Sequence, residues 1–449
     1  MPGELNRTIL RLAVPNLLAA ISVPLIGIVD TAMIGHLPEV AFMGAVASAS
    51  AIFDILYWGT GFLRMGTTSI VSQYSGAGDR RACAEALYRA LILAVLLAVA
   101  LLALRRWIGW AGFELAGGSP EVREWGRRYF EVRVVGVPLV LVTYVLHGFF
   151  LGTANALAPM VMTVAANLVN ALGDYALIYG MWGAPALGVV GAAWAAVLGN
   201  GVAAGIGLAV LVTRYRPYLA ERPHQLLDRE RLRHLVATNF HLFGRTSCLL
   251  ATQFSMLAIA SRLGEVPLAA HAVVWQIWAL VSFGVDGFAH AAETLVGNCL
   301  GAADFAGARR VARRILAWGI SIGAVLAIVY AVALGSIAAA FTEHAEVVQA
   351  AASLSLIVAL VQPMNAAVFV FDGIFIGAND VAYLFAAMAV AAFGFFVPAA
   401  AGLVYGLGLG LPGAWLAYDG LMLGRFLTLL ARYRGDAWLR SFTRPRRGL

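Results

Sequence analysis

The chain has 449 residues, of which 61% are hydrophobic and only 12% charged, where a soluble globular protein carries about 25% charged residues. With a mean hydropathy of +0.83 it reads as an integral membrane protein. The net charge is +7 and every basic residue is arginine, which excludes a P-loop lysine and Schiff-base chemistry on lysine.

Arg7 and Arg11 precede an apolar stretch that runs to Ile34 with no short hydrophobic region and cleavage box. It reads as a first membrane helix, not as a removed signal. Runs of about 20 apolar residues, bounded by Gly, Pro or Arg, then recur along the chain. The first six lie near 8–34, 42–74, 84–104, 126–151, 158–180 and 187–212. The second six lie near 233–262, 268–300, 309–334, 345–376, 380–405 and 411–432. The expected fold is an all-α membrane protein of twelve transmembrane helices.

Arginine placement gives the orientation. With the N-terminus inside, the cytoplasmic segments collect Arg7 and Arg11, Arg80 to Arg89, Arg214 to Arg233 including Arg222, and Arg309 to Arg314. They also hold the run from Arg425 to Arg447, which includes Arg440, Arg444 and Arg446. The other side holds Arg262 and a group around the third loop: Arg105, Arg106, Arg123, Arg127 and Arg128. Both termini are therefore expected in the cytoplasm, in a multi-pass protein of the inner membrane. These clusters are separated by membrane spans and lack interleaved aromatics, so a nucleic-acid partner is not expected.

The two halves repeat at an offset of about 225 residues. VSQYSGAGD at Val71–Asp79 aligns with VGNCLGAAD at Val296–Asp304, and HLPEV at His36–Val40 with RLGEV at Arg262–Val266. Pro138 falls opposite Pro363, and His147-Gly148-x-Phe150-x-Gly152 opposite Asp372-Gly373-x-Phe375-x-Gly377. Leu187-Gly188-x-x-Gly191-Ala192 meets Leu409-Gly410-x-x-Gly413-Ala414. Each half has an even number of spans, which implies a pseudo-two-fold axis along the membrane normal. The expected domains are residues 1–213 and 234–449, six helices each, joined by a charged linker at 214–233.

Chemistry enters where the halves differ. In the fifth span Asn167, Asn170 and Asp174 follow one another at helical spacing on one face. An ionised Asp in mid-bilayer costs roughly 3 kcal/mol on the gentlest scale, and such residues usually mark an ion or substrate path. The eleventh span has no acid at the matching place, where Phe393 to Val397 is apolar, and Asp30 of the first span faces apolar residues near Met256 in the seventh. The first lobe therefore holds an acidic pair that the second lacks. The second lobe carries Asp286 and Glu293 in the eighth span, Asp372 in the tenth and Asp419 in the twelfth.

Pro15, Asp30-Thr31-Ala32-Met33-Ile34-Gly35, Asn167-x-x-Asn170-x-x-x-Asp174, Gly188-x-x-Gly191-Ala192-Ala193 and Asp372-Gly373-x-x-Ile376-Gly377 resemble the multidrug and toxic compound extrusion (MATE) family, in its DinF-like branch. The resemblance spans nearly the whole chain. It implies two six-helix lobes around a central cleft and a cation-coupled antiporter that exports amphipathic, often cationic drugs or toxins, with no cofactor. It carries the family's first-lobe cation site over to Asp30, Asn170 and Asp174. Some sodium-binding members have a Thr hydroxyl about where this chain has Ala196, a departure that removes an oxygen ligand.

Two carboxylates in a dry pocket cannot both ionise cheaply, so the pair retains one proton and is suited to carrying it inward. Asn167 and Asn170 can donate to a charged carboxylate and accept from a cation. His147, in the place of Asp372, reads either as a proton relay or as a histidine satisfied by a backbone carbonyl. Pro15 and Pro24 interrupt the first helix, with Pro24 leaving the Ala20 carbonyl unmatched. Candidate substrate contacts are Asp54, Trp275, Asp286, His290, Glu293 and Asp372, with Arg64 and Trp278 beside them. Asp286 and Glu293 share a face, and either attract a cationic drug or bridge to Arg245.

Proton coupling is the leading expectation. Sodium at Asp30, Asn170 and Asp174, or a lipid-linked precursor flippase on a related fold, are the alternatives. A monomer is expected. No HExxH, GxSxG or Cys/His constellation suggests an enzyme, and Cys83, Cys248 and Cys299 are too scattered to hold a metal.

Overall fold

The repeated motifs are helix ends. At Val71–Asp79 a helix stops, Gly78 takes a left-handed turn (φ 73°), and Asp79 accepts from the Ala82 amide at 2.8 Å to start the next helix. Half a chain later Ala303 takes the same conformation (φ 60°), and Asp304 accepts from the Gly307 amide at 2.7 Å. The matching sequences thus encode one helix–turn–helix corner twice, each closed by an aspartate N-cap.

The computed structural model describes residues 2–221, 223 and 226–439; Arg222, Arg440, Arg444, Arg446 and Arg447 lie outside them. Among the described residues there is no strand. The helices are α1 (Pro2–Gly35), α2 (Val40–Gly76, interrupted at Gly61), α3 (Arg80–Ala116), α4 (Pro120–Gly152), α5 (Leu157–Tyr179) and α6 (Val189–Arg214). They continue as α7 (Arg229–Leu263), α8 (Glu265–Gly301, bent by 45°) and α9 (Phe305–Phe341). α10 is a broken run of Ala345–Ser353, Ser355–Leu360 and Gln362–Gly377, followed by α11 (Val381–Gly406) and α12 (Gly410–Arg434).

Nine of the described helices are long and apolar enough to cross a membrane, ten with the bent α8. The other two expected stretches are α10, which is broken, and α12, which carries Asp419 and Arg425. Lipid-facing stripes are plain on α3 and α9. Ile92, Val95, Leu96 and Val99 are exposed along one face of α3, and Val325, Ile328 and Val332 along one face of α9. Cys83, Leu87, Ala90 and Ala94, at the same spacing on the other side of α3, are buried.

The helices differ from the expected stretches at three places. α3 runs on to Ala116, so the third loop is reduced to Gly117–Ser119 and Arg105 and Arg106 sit on a helix. α1 continues as one helix through both Pro15 and Pro24. Arg425, counted with a cytoplasmic tail, is 2% exposed inside α12.

The chain falls into two units, Leu18–Leu235 and Met1–Leu17 with Val236–Leu449. The start of α1 belongs with the second half because Gly287 of α8 lets the Ala13 carbonyl approach to within 2.8 Å of where a Cβ would stand, and because Asn6 accepts from Arg314 Nε at 2.7 Å. In each unit the matching Gly-x-x-x-Gly pairs do the same work. A Cβ on Gly148 would stand 2.5 Å from the Arg64 carbonyl oxygen of α2, and Gly152 lies against Val71 and Ser72. In the other unit Gly373 lies against the Ala289 carbonyl, and a Cβ on Gly377 would stand 2.5 Å from the Glu293 carbonyl oxygen. Small residues let backbones touch where lipid supplies no hydrophobic drive to hold helices together.

Gly148→Ala and Gly377→Ala should each cost about 1–3 kcal/mol by overpacking, read as a lower unfolding midpoint in detergent. Gly205→Ala, with nothing within 4 Å, should be neutral; equal behaviour of all three would contradict this packing.

Candidate functional site

α5 is a regular helix whose buried positions include Met162, Asn170, Asp174 and Ile178. Its polar stripe faces α6 and the second part of α1 because Gly173 and Gly199 clear the way. A Cβ on Gly173 would stand 2.9 Å from Ala195 Cβ, and one on Gly199 would stand 2.7 Å from the Ala166 carbonyl oxygen. Asn170 Nδ2 donates to both oxygens of Asp30, at 3.1 and 3.3 Å. Asn167 Nδ2 donates instead to Ser22 Oγ at 2.9 Å, one stage further down α1. The Tyr179 hydroxyl donates to the Met33 carbonyl. Three side chains of α5 thus grip α1 at Ser22, Asp30 and Met33, and the grip runs the length of the stripe.

The carboxyl of Asp174 lies beside that of Asp30. Asp174 is 1% exposed. Both its oxygens and the Asn170 Oδ1 are buried and accept no hydrogen bond. Two acceptor-only carboxylates are therefore side by side with no donor on the second. Such a buried group is costly unless something supplies the missing charge. A proton or a small cation is the group that fits three unmatched oxygens.

The other expected residues fall elsewhere. His147 is half-buried on α4. Asp54 is exposed on α2 in the same unit as the pair. In the other unit, Trp275 and Trp278 stack at 5.2 Å, with Trp415 and Tyr418 packed edge-on or tilted around them. His290 Nδ1 lies 3.4 Å from Glu293 Oε1. Asp286 is half-buried on the same helix. Arg245 bridges to neither acid of α8. It meets Asp372 of α10, and Arg425 reaches the same Asp372 oxygen from α12. Arg64 sits at the α2 break.

One residue escaped the sequence reading. Arg133, in the fourth span, donates through Nη1 to Ser50 Oγ at 3.1 Å and to the Tyr129 hydroxyl at 3.0 Å, in the unit that holds the pair. It follows Arg127, Arg128 and Glu131 in a polar segment, so no local pattern set it apart.

The matching family model, MatE, covers residues 15–176 and 245–401. This chain belongs to the MatE family. DNA damage-inducible protein F of Escherichia coli K12 is 31% identical to it, over 96% of this chain and 92% of that one. A probable multidrug resistance protein NorM of Bradyrhizobium diazoefficiens is 30% identical, over 95% and 94%. A crystal structure of a MATE protein in the bent conformation superposes with a TM-score of 0.85 at 21% identity, covering 97% of this chain and 96% of that chain. The chain is thus a multi-pass membrane transporter of the multidrug efflux family with the MATE fold, and not an enzyme.

The unmatched oxygens of Asp174 make a stability prediction. Asp174→Asn replaces an acceptor by a group that can donate to Asp30. Its unfolding midpoint in detergent should rise by the equivalent of about 1–3 kcal/mol at a pH alkaline enough to strip the pair of its proton, and by less at pH 5, where the parent pair keeps it. A midpoint unchanged or lowered on the alkaline side would show that the two carboxyl groups are already matched.

Proposed function

We propose that the chain is an antiporter that exports small amphipathic, often cationic compounds in exchange for inward protons, loaded at Asp30 and Asp174. The observation that carries this reading is the side-by-side pair whose second member has no donor. A pair of that kind binds one proton strongly and a second weakly, and gives the first up when its surroundings change. An inward proton gains about 2.3 kcal/mol per 100 mV for each charge that crosses the field. Asn170 holds Asp30 in place through either state, because its amide can donate to the carboxylate whether or not the neighbour is protonated. Asn167 fixes the register of the two helices through Ser22.

The unmatched Asn170 Oδ1 favours sodium as the alternative coupling ion, since it adds a neutral oxygen to the carboxylates. Against it stands Ala196, which offers no side-chain oxygen from α6. The rival reading of a lipid-phosphate flippase gains nothing from Arg245 and Arg425, because both are engaged by Asp372. Asp54, Trp275, Asp286, His290 and Glu293 remain the proposed substrate contacts. The protein is proposed to work as a monomer in the inner membrane with both termini cytoplasmic and without nucleic acid.

Drug-stimulated ion flux in proteoliposomes tests the proposal. An imposed proton gradient should drive export by the parent, and Asp30→Asn or Asp174→Asn should reduce coupled export at least about tenfold. Export driven by sodium alone would replace the proton, and full coupled export by both variants would remove the site.

A further inference from the structure

α4 is not one smooth helix. Pro138 cannot donate to the Val134 carbonyl, and the helix changes to a tighter 3₁₀ turn over Val134–Gly136. Arg133 is the last residue before that turn, so its guanidinium enters the interior at the break in the span. There it is held by hydroxyls, Ser50 Oγ at 3.1 Å and Tyr129 OH at 3.0 Å, and lies over the Phe53 ring at 4.7 Å from the centroid. Among the described residues no carboxylate reaches it at ion-pair distance; its neighbours are neutral.

Arg133 itself is half-buried, and the buried arginines are handled differently. Arg245 and Arg425 both close on Asp372, and Arg89 closes on Glu85 at 3.0 Å. A carboxylate clamped in that way already has its charge matched by a fixed cation. Asp30 and Asp174 are not clamped, yet Arg133 stands close by: a Cβ on Gly136, one turn further along, would lie 3.2 Å from Val197 of α6, and one on Gly199 of α6 would lie 3.4 Å from the Asn170 Cβ, so both acids, and Asp54, feel its charge. An arginine remains charged at every working pH, so its field is constant while the pair loads and unloads. At contact such a charge would lock the pair empty; absent, it would leave two adjacent negative charges in an apolar lobe with nothing to offset them. Standing off, tied to hydroxyls, it offsets the unloaded state without consuming it.

We propose that Arg133 is a positioning residue for coupling: a fixed counter-cation, tethered by Ser50 and Tyr129, that lets the Asp30–Asp174 pair give up its proton. This rests on the proton-coupled reading above. The titratable and charged groups facing it are Asp30 of α1, Asp54 and Tyr57 of α2, Tyr129 of α4 itself, and Asp174 of α5; Tyr179 of α5 neighbours Asp174. α6 has no titratable group before Arg214 at its end, and α3 turns Glu114 to Arg123, away from this cluster.

The test is an infrared titration of the purified protein, following the protonated-carboxyl band that disappears in Asp174→Asn. Arg133→Gln keeps a polar side chain and Arg133→Met keeps the stem; both remove the charge, and either suffices if the other does not fold. Arg133→Lys keeps the charge. The neutral variants should move the midpoint of the band at least about one pH unit to the alkaline side, and the lysine variant should stay near the parent. Drug-driven proton flux in proteoliposomes should shift in the same direction. A midpoint that stays put in the neutral variants, or moves equally with Arg133→Lys, would overturn the assignment in favour of a structural tether. A parent that shows the band but moves no proton with drug would overturn the coupling reading alone, since the electrostatic assignment is read from the band.

Discussion

Everything in the first-lobe site depends on one shortage: two carboxyl groups lie together in a place that offers hydrogen-bond donors to only one of them. Asn170 supplies both oxygens of Asp30, and Asp174 receives nothing. In water this would be trivial, because solvent would fill the gap. In the interior of a membrane protein the gap is a demand for positive charge. The grip of α5 on α1 at Ser22, Asp30 and Met33 keeps the demand in one place, and small residues on α5 and α6 let the helices close around it.

Among the described residues, acids inside the protein are treated in different ways. Glu85 is 2% exposed, at the start of α3, and is ringed by Arg81, Arg89 and Arg231, at 3.5, 3.0 and 2.7 Å. Because Arg89 also donates to the Leu226 carbonyl at 3.0 Å, this cluster ties the segment before α7 to α3. Asp372 is clamped between two arginines of the other unit. Both arrangements are static: removing one partner would strand a charge. The Asp30–Asp174 pair is left open, with a cation near but not bound. The difference separates acids that hold helices together from acids that can change state.

Much of this was legible in the sequence because it follows from periodicity. The twelve apolar stretches were found within a few residues at most ends, and Asn167, Asn170 and Asp174 had to share a face once α5 was a helix. The repeat pointed to glycines 148, 152, 373 and 377, which prove to be close backbone crossings. What failed were inferences from one residue at a time. Arg425 looked like part of a basic tail because hydropathy ends near it, and its partner Asp372 lies more than 50 positions away in the chain. The bridge from Arg245 to Asp286 or Glu293, held open as one of two alternatives, is made instead to Asp372. The prolines of α1 were read as interruptions, yet the helix runs on through both. Arg133 was invisible because its meaning lies in Ser50, Tyr129 and the acids around it, and no local pattern links them.

The central claim is that the pair holds a transferable proton. Proton release on drug binding, measured with a pH-sensitive dye in weakly buffered detergent solution without sodium, tests it most directly. Binding to the parent should release about one proton per molecule bound, and that release should vanish in Asp174→Asn. Tight drug binding with no proton released, together with a requirement for sodium, would contradict it.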